Sequence, residues 1–146
     1  MPVRALLGVL AVLLVAGCGA PSPTLTRLRS QATRICEAAD RRTEVLSAPA
    51  GPTGGAAFLR SGLTVVVPEL SELRALRSPS DTAAVYQAAI GDLGREIGAI
   101  RQALGAIAQG QDPAIAIRSL QRQLAPLESA QDGAWQALGV PACLTR

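Results

Sequence analysis

Three cysteines, Cys18, Cys36 and Cys143, stand in a chain of 146 residues that contains no histidine. Thiolates bind metals, attack carbonyls, carry acyl groups or pair as disulfides. Metal binding and nucleophilic catalysis usually draw on histidine, as ligand or as general base, and that partner is missing. Thiols without histidine do not complete a zinc site here, so no metal and no cofactor are expected. Among the carboxylates, Glu69 and Glu72 share one helical turn, a spacing that normally belongs to a solvated face. The sequence offers no nucleophile–base pair and no Gly-rich phosphate loop behind a strand. Catalysis is not expected.

The setting of Cys18 is more informative. In "MPVRALLGVLAVLLVAGC", Arg4 is the sole charge and residues 5–16 are apolar. That is the layout of a secretory signal peptide, and it falls short of the roughly twenty residues that span a bilayer. The segment closes on Val15, Ala16, Gly17 and Cys18, which resembles the lipobox of bacterial lipoproteins. The resemblance implies cleavage before Cys18, a diacylglycerol thioether on its sulfur and acylation of the new amino terminus. Two or three acyl chains make a stable anchor where one is marginal. The competing reading is an ordinary secreted protein cut after Ala20, with Cys18 discarded. The resemblance stops at Cys18.

It also bears on the other two cysteines. With Cys18 in the anchor, an even pair remains, and Cys36 and Cys143 are expected to form a disulfide in an oxidising compartment. Such a bridge closes most of the mature chain into one loop, for which chain entropy predicts about 4–5 kcal/mol.

The elements that must hold this pair are helical. From Leu25 the apolar positions Leu28, Ala32, Ile35 and Ala39 recur at spacings of three and four, reaching Leu46. Two prolines and three glycines within residues 47–56 then mark a loop. Leu59, Leu63, Val66, Leu70 and Leu73 carry a second helix over 57–77. Val65, Val66, Val67 and Pro68 within it admit a short strand or a helix kinked where Pro68 faces water, and the kinked helix fits the spacing better. Residues 78–81, "SPSD", read as a helix start. Ile90, Leu93, Ile97, Ile100, Leu104 and Ile107 then repeat at core spacing, with Ala83 and Tyr86 extending the stripe backwards. Asp112 as cap and Pro113 at the first position open a last helix that Gly139 and Pro141 close. Four helices with short connections predict an all-α, up-down-up-down four-helix bundle. Helices 1 and 4 become antiparallel neighbours tied by the disulfide, and because Cys36 lies partway along helix 1 the tail after Gly139 must fold back over it. The expected organisation is a leader over 1–17, a lipidated cysteine and tether over 18–24, and one helical domain over 25–146.

Hydrophobic residues make up 49% of the chain but aromatics only 2%, so aliphatic side chains must build the core. Phe58, Tyr86 and Trp135 are expected to fill it, with Trp135 alternatively walling a small apolar pocket. All fourteen basic residues are arginine, and the net charge is +3, too mild and too dispersed for nucleic acid.

Two surfaces are candidates for contact. Gly91, Gly94, Gly98 and Gly105 follow one flank of the third helix, together with Ala84. Each interior glycine costs about 1 kcal/mol relative to alanine, and small residues admit a neighbouring backbone. The flank is either a groove for a partner or simply the seat of helix 2 or 4. Arg27, Arg34 and Arg41 share one face of the first helix. They either meet an anionic surface, at about 1 kcal/mol per close charge, or form a solvated face with helical pairs such as Glu37 and Arg41.

These features point to a lipid-anchored extracytoplasmic bundle at the bacterial cell envelope, held at the membrane by its anchor. It is expected to act as a non-catalytic interaction or accessory module with an envelope protein as partner. The alternative is a carrier of small apolar molecules or lipids between its helices.

Overall fold

The computed structural model describes residues 23–49, 51 and 54–144; the leader and Cys18 lie outside them. The described residues form α1 (Leu25–Thr43), α2 (Gly55–Arg74), α3 (Ala83–Ala108) and α4 (Pro113–Leu138), followed by a 3₁₀ turn at Pro141–Cys143. There is no strand among them. The chain is the all-α four-helix bundle that the spacing predicts.

Helix boundaries follow local chemistry. The Thr24 hydroxyl accepts the Arg27 amide at 3.2 Å and caps α1. Asp112 accepts the Ile115 amide at 3.0 Å, with Pro113 at the first position of α4. At the other end of α4, Gly139 has φ 70°, and Val140 and Gly139 donate to the Trp135 and Gln136 carbonyls at 3.0 Å. Only glycine takes this left-handed position without steric cost. Four boundaries differ from expectation, the first being the start of α2 at Gly55 rather than at 57. α1 stops at Thr43, where the Leu46 amide turns back to the Thr43 carbonyl. α2 ends at Arg74 rather than Arg77, ahead of Pro79, which disfavours helix in the residue before it. α3 begins at Ala83, after a turn in which the Thr82 amide donates to Pro79.

α2 is helical through residues 65–68, so the short strand does not form. Its first residue, Gly55, is buried beneath the Ile117 side chain of α4, which occupies the place a β-carbon would take.

The main core joins Leu28, Ala32 and Cys36 of α1, Leu70 and Leu73 of α2, Tyr86, Ile90, Leu93 and Ile97 of α3, and Trp135 and Leu138 of α4. Each fully buried leucine contributes roughly 1.5–3 kcal/mol. Tyr86 and Trp135 meet edge to face with ring centroids 5.9 Å apart, and the Tyr86 hydroxyl donates to the Leu73 carbonyl at 2.6 Å. Phe58 departs from expectation: it lies 37% exposed on the first turn of α2, at the end of the bundle away from this core.

The disulfide joins Cys36 to Cys143, with α-carbons 5.2 Å apart. It links α1 to the C-terminal end through the tail that follows α4. α1 packs on α2 and on the C-terminal 3₁₀ turn and has no extended interface with α4. Residues 139–143 fold back, burying Val140 and Cys143 completely or nearly so, and touch both helices. α4 packs chiefly on α3.

Candidate functional site

The structure separates the four glycines of α3. A β-carbon on Gly94 would stand 3.2 Å from Arg74 Nη2 and 3.7 Å from Leu70 Cδ2, so Gly94 is seated against α2. A β-carbon on Gly91 would meet only Arg95 Nη1, at 3.9 Å, and one on Gly98 or Gly105 would meet nothing within 4 Å. Tight packing within the bundle therefore accounts for Gly94 alone.

Beside Gly94 runs a groove of about 270 Å³ between α2 and α3. Val67, Leu70 and Ile97 floor it, and Ser71, Arg74 and Arg101 rim it. Neither arginine enters an ion pair or hydrogen bond among the described residues. Gly94, Gly98, Arg101 and Gly105 follow one another at four, three and four residues, so one face of α3 continues the groove. Arg74 lies over Gly94, and Arg101 stands two turns further on, about 10 Å along the helix axis.

Arg27, Arg34 and Arg41 are all exposed on α1, as an outward face requires. The helical pair between Glu37 and Arg41 is not formed; the described ion pairs join Arg42 to Glu72 and Arg95 to Asp92.

A second site escaped the sequence reading. Glu69, expected on a solvated face with Glu72, is 1% exposed, whereas Glu72 does point outward. Asp92 is 4% exposed and is held by Arg95. Glu69, Glu96 of α3 and Glu128 of α4 line a cavity of about 160 Å³, and Asp92 and Asp132 act on Glu96 from nearby. Thr43, Val66, Leu93 and Gln131 supply other parts of its wall. Glu96 Oε1 is buried with no hydrogen-bond partner among the described residues. Burial, then repulsion from Glu128, Asp92, Glu69 and Asp132, pushes the Glu96 carboxyl up to about 7. The signal was present but unused: Asp92 and Glu96 are four apart, and so are Glu128 and Asp132. Each pair thus presents two acids on one face of its helix.

No group of three His, Cys, Asp or Glu side chains among the described residues is placed to hold a metal ion. No helix among them is long and apolar enough to cross a membrane. No protein-family model, no curated protein and no solved structure matches this chain. Its function has to be read from the two sites themselves. One offers an apolar floor between unpaired cations; the other holds a proton near neutrality.

Proposed function

We propose that this chain is a lipid-anchored helical domain on the outer face of a bacterial membrane, and that it works as a non-catalytic interaction module of the cell envelope. Cys18 carries the acyl chains. What supports the anchor is the pairing of Cys36 with Cys143, which leaves Cys18 as the odd cysteine behind an apolar leader. The contact face is the groove between α2 and α3, where Gly98 and Gly105 leave room for an approaching helix and Arg74 and Arg101 offer charge to an acidic partner. The carrier alternative has less support: Trp135, which would wall its pocket, is 1% exposed and packed on Tyr86.

Expression in a bacterium with an alkyne fatty acid tests the anchor. The wild-type chain should take up label and fractionate with membranes, and Cys18→Ala should do neither. A labelled Cys18→Ala chain, or an unlabelled wild type, overturns the anchor. A photo-cross-linker at Ser71, exposed on the rim of the groove, tests the module in the native envelope. It should capture one protein whose yield collapses in the double variant R74E/R101E, and equal capture by a cross-linker at Arg34, on the exposed face of α1, would reject the groove.

A further inference from the structure

The carboxylates inside the bundle have no part in the function just proposed. α2 brings Glu69 to the cavity wall, α3 brings Glu96 and α4 brings Glu128, while Asp92 and Asp132 lie close enough to act on Glu96. The charges that act on Glu96 are all negative. Arg95 holds Asp92, while Arg42, next to Thr43 of α1, lies 3.9 Å from Glu72 and donates to the Ala38 carbonyl. Thr43 itself brings no charge to the cavity wall. Buried acids that face one another destabilise a fold when all are ionised.

Two of the three contributing helices are weakened at this level. Pro68 immediately precedes Glu69, and Pro126 stands two residues before Glu128. Each proline removes one intrahelical hydrogen bond and crowds the preceding turn. α4 rests mainly on α3 and only lightly on α2. The stretch of α4 over 126–133 can therefore move against α2 without dismantling the larger α3–α4 interface.

We propose that this cavity is a proton-operated latch between α2 and α4. With a proton on Glu96, the otherwise unpartnered Oε1 becomes a donor to a facing carboxylate, and residues 126–133 are held in. When Glu96 releases that proton to solvent, its new charge adds to those of Glu69, Asp92, Glu128 and Asp132, and residues 126–133 swing outward. Carboxyl–carboxylate hydrogen bonds are short and charge-assisted, so one proton exchanges an attraction for a repulsion. The raised affinity of Glu96 for its proton sets the window. The latch is fully closed below the ordinary carboxylate range and opens as pH rises towards 7.

Hydrogen-exchange protection factors, which correct for the intrinsic pH dependence of exchange, test this on the full chain in detergent between pH 5 and 8. Protection of residues 122–136 should fall about tenfold or more across that range while α1 and α3 hold theirs. Glu96→Gln, which keeps a donor in place, should leave the segment protected at pH 8. Glu128→Gln removes one facing charge, so Glu96 gives up its proton more readily and against weaker repulsion; the midpoint should move to lower pH and the loss of protection should shrink. Emission of Trp135, the one tryptophan of the chain, gives an independent reading one turn beyond Asp132. Loss of protection that is equal in wild type and Glu96→Gln, or spread evenly over all four helices, overturns the latch. A Glu128→Gln midpoint unchanged from wild type does so as well, which keeps the test decisive if Glu96→Gln fails to fold.

Discussion

Arg29 and Leu138 join the two ends of the domain: the Arg29 Nε donates to the Leu138 carbonyl at 2.6 Å, and the guanidinium lies across Gly139. A cation at the last carbonyls of α4 complements the negative end of that helix. It also explains how α1 holds α4 despite the lack of a shared interface along their lengths.

Removing this joint should loosen the C-terminal end. Arg29→Ala should cost about 1 kcal/mol, since the residue is largely exposed and the bond is charge-assisted. Gly139→Ala should cost more, about 1–2 kcal/mol, because φ 70° is unfavourable for alanine and its β-carbon would stand 3.0 Å from the guanidinium. Urea unfolding of both variants checks the order, and an Arg29→Ala chain less stable than Gly139→Ala contradicts it.

The disulfide spans a sequence separation of 107 residues. Replacing Cys36 and Cys143 together by alanine should cost roughly 3–5 kcal/mol, chiefly by freeing the unfolded chain. Thermal unfolding with and without reductant measures the same quantity. Reductant should lower the midpoint of the wild type and leave the double variant unchanged.

Tyr86 is the one tyrosine of the chain, so its ionisation can be followed by phenolate absorbance. Burial pushes the hydroxyl up to about 12. The folded state keeps its proton through a range in which the unfolded chain loses it, so stability is full below about 10 and falls as pH rises from there to 12. Phenolate should appear near pH 10 in urea and only near 12, or on unfolding, without it. Tyr86→Phe should cost about 1 kcal/mol through the lost bond to Leu73.

Gly98→Ala and Gly105→Ala should each stabilise the fold by about 0.5–1 kcal/mol, because the new methyl groups meet nothing and the helix gains propensity. Gly94→Ala should gain less, since its methyl displaces Arg74. If the groove takes a partner helix, the same two stabilising changes should reduce cross-linking to that partner. Calorimetry and capture yield should therefore move in opposite directions.

The periodicity of Leu28–Ala32, of Leu70–Leu73 and of Ile90–Leu93–Ile97 was enough to read three of the helices and their buried stripes, and these positions lie in the core. Asp112, Pro113 and Gly139 marked the ends of α4 because capping and left-handed turns depend on local chemistry alone. The pairing of Cys36 with Cys143 was legible from cysteine number once Cys18 was set apart. Which neighbour faces each stripe was not legible. Spacing places a residue on a face of its own helix, but the helix opposite decides whether that face is wet, apolar or charged. Glu69 and Glu72 are three residues apart, yet α3 and α4 close over only the first. The fold-back of residues 139–143 over α1 followed from Cys36 standing partway along that helix, but that the length of α4 lies on α3 rather than on α1 was decided only in the tertiary structure. The acid cluster around Glu96 belongs to this second kind of fact: three helices had to meet before its charges became neighbours.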